Sequence, residues 1–124
     1  MKIIRDIIEV FRDTSEITKI HKDRYGNGSI FIKLYIDVDE ALDRLTTLFK
    51  KYMDNSELII AKISSGEFID MGYKTIDILD GYIMEYYDYT GKSHLYIRIY
   101  SLRDDRMGWT SLYIDWSIDS PWWR

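Results

Sequence analysis

The chain has 124 residues, with 17 Lys and Arg against 21 Asp and Glu, a net charge of -4, and no cysteine. That length supports one domain, residues 1–124, and 46% hydrophobic residues separate it from disordered acidic tails. The missing cysteines exclude disulfides, thiolate nucleophiles and Cys-ligated zinc, and the acidic balance argues against a general nucleic-acid binder.

Residues 1 to 13 place Ile3, Ile4, Ile7, Ile8 and Phe11 on one face and Lys2, Arg5, Asp6, Glu9, Arg12 and Asp13 on the other. This spacing predicts an amphipathic helix, either laid on a core or paired with a partner helix. Charges interleave its isoleucines, so neither a signal peptide nor a membrane span is expected, and the expected location is cytoplasmic. From Ser15 to Asp37 two extended segments flank Tyr25-Gly26-Asn27-Gly28, a hairpin signal. A three-residue loop, Gly26 to Gly28, would set Ile20 opposite Leu34 and Thr18 opposite Ile36, with Ile30, Ile32, Leu34 and Ile36 facing a core.

Asp37-Val38-Asp39-Glu40 opens a second helix that runs to about Met53, with Ala41, Leu42, Leu45, Leu48, Phe49, Tyr52 and Met53 at helical spacing. Asp37 and Glu40 read as a capping-box variant rather than a magnesium cluster. Leu58 to Ile63 reads as a strand, and residues 67 to 80 are ambiguous between strand and loop. Tyr82 to Tyr89, His94 to Leu102 and Trp109 to Ile118 form an antiparallel meander. The expected architecture is α+β: two helices on one face of a largely antiparallel sheet of five to six strands, in the order α-β-β-α-β-β-β-β.

Alternation along the meander sends Leu95, Ile97, Ile99, Leu112, Ile114 and Trp116 to the core face. A two-residue turn at Gly91-Lys92 would place Glu85 opposite Arg98 and Tyr87 opposite Tyr96, with Tyr82, Met84 and Tyr86 core-facing. The outer face then carries Tyr87, Tyr89, His94, Tyr96, Arg98, Tyr100, Trp109 and Tyr113. Tyrosine and tryptophan combine large area with a polar handle, so this face is a candidate partner-binding surface. The alternative is that these residues simply suit a sheet, or that the first helix covers them.

Charge is divided unevenly. Residues 1 to 62 hold 11 basic and 11 acidic side chains, and residues 63 to 124 hold 6 and 10. Glu67, Asp70, Asp77, Asp80, Glu85 and Asp88 face only Lys74 in their stretch; carboxylates at such intervals can imitate phosphates before a basic groove, and the alternative, which the spacing favours, is a solvated face that keeps the protein soluble. The first hairpin is locally basic, with Lys19, Lys22, Arg24 and Lys33 against Asp23.

Catalytic motifs are not legible. Thr90-Gly91-Lys92-Ser93 lacks the earlier glycine of a phosphate-binding loop, since that position is Tyr86. His21 and His94 sit in different hairpins without an activated nucleophile. Asp104-Asp105, between Arg103 and Arg106, reads as a turn with surface salt bridges, and Pro121-Trp122-Trp123 as a tail folded onto the body. No cofactor or metal is expected.

The 20 isoleucines and 11 tyrosines, beside two alanines and two valines, fit AT-rich coding DNA. In general character, though in no specific motif, the chain resembles the small inhibitors encoded by phages and other mobile elements, anti-CRISPR proteins among them. That resemblance implies a non-enzymatic protein that binds a partner with a basic surface, with no direct nucleic-acid or membrane contact. An immunity protein against a nuclease toxin uses the same physics. A small enzyme or nucleotide-binding domain centred on His94, Tyr96 and Arg98 is the third reading, and a homodimer through the first helix or the tail is compatible with each.

Overall fold

A computed structural model describes residues 2–63, 68–70, 75–77, 80–104 and 109–121. Its elements are α1 (Lys2–Val10), β1 (Ser15–Lys22), β2 (Gly28–Leu34), α2 (Val38–Phe49), β3 (Ser56–Ile63), β4 (Phe68–Asp70), β5 (Thr75–Asp77), β6 (Asp80–Asp88), β7 (Leu95–Asp104) and β8 (Trp109–Ile118). Single 3-10 turns extend α1 through Arg12–Thr14 and α2 through Lys50–Tyr52. Six strands form an antiparallel sheet in the order β1-β2-β8-β7-β6-β3, and β4 pairs separately with β5. The protein is α+β, with more strands than expected because the ambiguous stretch contributes the β4–β5 hairpin.

Both helices lie on one face of the sheet. Ile3, Ile4, Ile7 and Phe11 from the first helical segment, with Ala41, Leu45, Leu48 and Phe49 from α2, pack on Ile30, Ile32, Ile97, Ile99, Leu112, Ile114 and Trp116. The α1 stripe therefore joins the core and is not free to pair with a partner helix. Tyr82 donates to Asp39 at 2.8 Å at one end of α2, and Phe49 stacks on Tyr86 at 4.9 Å at the other. Ten helical residues rise about 15 Å, and four strand residues about 14 Å, so α2 runs alongside β6. Asp6 accepts from Tyr52, and Val10 O accepts from Arg44 at 3.1 Å, which sets α1 antiparallel to α2.

Two helices side by side cover about 20 Å, whereas six strands span about 24 Å between the outermost axes. The outer strands consequently stand clear of the helices: Ile17 and Ile20 on β1 and Ile60 on β3 remain exposed on the helix-bearing side.

The β6–β7 register agrees with expectation, with Glu85 opposite Arg98 and Tyr87 opposite Tyr96. The first hairpin does not. Its loop is five residues long, Asp23 to Asn27, and Ile20 pairs with Ile30, not Leu34. Asp23 anchors the displaced turn: its N–H donates to Asn27 O at 2.9 Å, and its carboxylate accepts from the backbone N–H groups of Tyr25 and Asn27 at 2.8 and 3.0 Å. The displacement is even, so Ile20 keeps its core-side orientation. A bulge between Ile17 and Lys19 then sets Ile17 opposite Ile32, on that side.

The expected capping box is also absent. Asp37 occupies the N-cap with extended geometry but makes no side-chain capping hydrogen bond. It lies 4.0 Å from Arg103, Asp39 accepts from Tyr82, and Glu40 pairs with Arg44 at 3.1 Å. Arg103 bonds Asp80 across the β6–β7 ladder at 2.6 Å, so its ion pair ties two strands together instead of staying within a turn. Asp105, Arg106 and the Trp122-Trp123 tail lie outside the described residues.

Candidate partner-binding surface

The sheet face away from the helices is built in cross-strand rows. Ile83, Tyr100, Tyr113 and Phe31 form one row; Glu85, Arg98, Asp115 and Ser29 form the next; Tyr87, Tyr96 and Ser117 follow. Beyond the ladder ends, Tyr89 N–H donates to Asn55 O at 3.1 Å and Asp119 N–H to His94 O at 2.7 Å, which extends the sheet by a row holding Tyr89 and His94.

Exposure changes steeply along these rows. Tyr100 is 5% exposed, Tyr113 9%, Arg98 9% and Tyr87 2%, whereas Tyr89 is 37% exposed. Of the eight outer-face residues, Tyr89 is exposed, His94, Tyr96 and Trp109 are half-buried, and Tyr87, Arg98, Tyr100 and Tyr113 are buried. Tyr100 and Tyr113 join Ile63 and Leu102 in a second apolar cluster, with Phe31 and Ile83 packed against it. Burial pushes the Tyr100 hydroxyl above its ordinary value. Trp109, at the far end of β8, is half-buried with Lys33 Nζ 3.8 Å from its ring centre, so it is remote from Tyr89.

Arg98 and Asp115 form a buried ion pair at 3.3 Å, and the Arg98 guanidinium also lies over the Tyr100 ring at 4.9 Å. Desolvation raises the Asp115 carboxyl above its ordinary value, and Arg98 acts in the opposite sense. Arg98 is thus committed to the interior of the face and does not stand with His94 at its open end.

At that open end the aromatic rings support one another. Tyr87 meets Tyr96 edge-on at 5.4 Å, Tyr89 meets His94 at 5.3 Å, and Tyr89 and Tyr96 are 6.4 Å apart. The Tyr96 hydroxyl lies 3.5 Å from His94 Nδ1. Edge-to-face rings of this kind add about 0.5–1.5 kcal/mol beyond their buried area. The result is a pre-ordered aromatic knob backed by the buried part of the face.

The carboxylates fall into two groups. Asp80 bonds Arg103, Glu85 accepts from the Tyr87 hydroxyl, and Asp88 accepts from Thr90 N–H at 2.9 Å and its hydroxyl at 2.6 Å. These three are engaged within the chain. The side chains of Glu67, Asp70 and Asp77 lie outside the described residues. Among the described residues, the exposed charges beside the knob are Asp54, Glu57, Asp119 and Lys92, an acidic excess that sequence reading missed because separate parts of the chain contribute it.

Among the described residues no group of His, Asp and Glu could hold a metal ion, and no helix is long and apolar enough to cross a membrane. A groove of about 300 Å³ lies elsewhere, between the end of α1 and α2, lined by Val10, Asp43, Arg44, Thr47, Leu48 and Lys51. Comparison with models of known protein families gave no match, and comparison with curated proteins gave none.

Proposed function

We propose that this chain is a non-enzymatic binding protein that acts by occupying a partner's surface, with Tyr89, His94 and Tyr96 as the anchors. The observation that carries the reading is the ring cluster at the open end of an otherwise buried tyrosine face. Aromatic groups held in place before binding lose little entropy on contact, and such residues dominate interface energetics. The surrounding Asp54, Glu57 and Asp119 favour a basic partner, as does the second half's excess of 10 acidic over 6 basic side chains. A protein with a basic, nucleic-acid-handling groove is the partner class that fits this chemistry, and blocking that groove in an anti-CRISPR-like manner is the corresponding activity.

The test is competition. Candidate effectors are titrated with the protein in the presence and absence of their nucleic acid, and mutual exclusion is expected. Charge reversal of Glu67, Asp70 and Asp77 to Lys then measures the acidic segment; Asp80 is spared because it holds Arg103. Unchanged potency in a folded triple variant would remove that segment from the interface and leave the aromatic knob as its centre. Simultaneous binding of nucleic acid and protein would overturn the groove-blocking reading.

A further inference from the structure

The two edges of the six-stranded sheet differ in kind. β1 carries the usual guards against strand pairing, namely a bulge between Ile17 and Lys19 and the exposed Lys19 and Lys22. β3 has none of them at its centre. Its ladder with β6 runs from Ser56 to Ile63 without a register shift, and Leu58-Ile59-Ile60-Ala61 is uncharged and contains no proline. Ile59 is 47% exposed on the face away from the helices and Ile60 42% exposed on the helix face. Among the described residues no strand pairs with its outer edge.

We infer that β3 is a homodimerisation edge, pairing antiparallel with β3 of a second copy about a two-fold axis at Ile59, to make one continuous twelve-stranded sheet. The axis must stand perpendicular to the sheet for the copies to share faces, and then only residues of equal parity can face each other. Centring on Ile59 sets Ile59 against its own copy and Leu58 against Ile60 in both directions, so the exposed isoleucines each meet an apolar side chain. Centring on Ile60 would instead set Leu58 against Lys62.

Charge order selects the same arrangement. β3 holds one acid, Glu57, near its start and one base, Lys62, near its end, so the strand is neutral within a chain of net charge -4. Antiparallel pairing in this register sets Glu57 opposite Ala61 and Lys62 opposite Ser56, so no like charges face each other, whereas in-register parallel pairing would align like with like. Ile59 and Ile60 are not part of the aromatic knob, although Glu57 borders both surfaces.

The experiment is sedimentation of the full chain with two variants, I59K and I59E. An edge pairing is small by interface standards, so the range to cover is about 5 to about 500 µM. The wild type is expected to move from monomer to dimer across it. Each variant alone sets two like charges face to face and is expected to weaken the dimer at least about tenfold. An equimolar mixture of I59K and I59E is expected to dimerise again, because the opposed charges then attract. A wild type that stays monomeric, a variant that dimerises as well as wild type, or a mixture that stays monomeric would each overturn the inference. Circular dichroism of each variant confirms that the comparison is made between folded chains.

Discussion

Trp116 rests against Gly28, its cross-strand partner, and donates its indole N–H to Gly26 O at 2.9 Å. A Cβ on Gly28 would stand 2.2 Å from Trp116 Cζ2, closer than real atoms approach. Asn27 completes the clasp by accepting from Ile118 N–H at 2.9 Å. The first hairpin is thereby docked on β8 through its loop as well as its ladder. Gly28→Ala is expected to displace the indole and destabilise the protein by about 1–3 kcal/mol. A urea titration measures this as a lower midpoint with an unchanged slope.

The Arg98–Asp115 pair stabilises less by its presence than it would destabilise by its disruption. Asp115→Ala takes the carboxylate from a guanidinium that is 9% exposed, and a loss of about 3–5 kcal/mol is expected. The pH dependence has a definite sign. Desolvation holds the Asp115 carboxyl above 3.8 in the folded chain, despite Arg98, so the native state binds its proton more tightly than the unfolded state does. Its contribution to stability is therefore greatest below pH 3.8 and falls as pH rises through the folded value. Stability curves of wild type and Asp115→Asn across this range are expected to differ by that falling component.

Tyr52 joins four elements. Its hydroxyl donates to Asp6 of α1, and its carbonyl accepts from Ser56 of β3 at 2.7 Å and from Tyr86 of β6 at 3.0 Å. The Asp6 hydrogen bond, with desolvation, pushes the Tyr52 hydroxyl up to about 12 from 10.0. A raised folded value means stability that is complete below pH 10.0 and lost as pH rises toward 12. Tyr52→Phe is expected to cost about 1 kcal/mol at neutral pH. The gap between wild type and variant is expected to close in alkali, which chemical denaturation at stepped pH measures.

The meander was legible because its alternation is unbroken: from Tyr82 to Tyr89 and from His94 to Leu102 core-side and outward residues alternate, so one turn position set the whole register. The first hairpin's register differs from expectation by four residues because Tyr25-Gly26-Asn27-Gly28 looks like a complete turn, while Asp23 organises one centred earlier, at Tyr25. The Asp-x-x-x-Asn spacing was the available signal. At the candidate site the side of the sheet was legible and the burial was not. Whether Tyr87, Tyr100 and Tyr113 meet solvent depends on contacts between distant parts of the chain, which alternation does not encode. The exposed β3 edge had a local sign, four uncharged residues in a row, but its importance depends on β3 ending the sheet.

The most direct measurement for the proposed binding activity is affinity capture from the native host with the wild type, Tyr89→Ala and Tyr96→Ala, each first shown to be folded. The expected result is a partner with a basic surface that the wild type retains. Each variant should lose about 2 kcal/mol of binding, roughly thirtyfold in affinity. Recovery of the same partner at wild-type affinity by both variants would contradict the assignment of the aromatic knob as the binding surface.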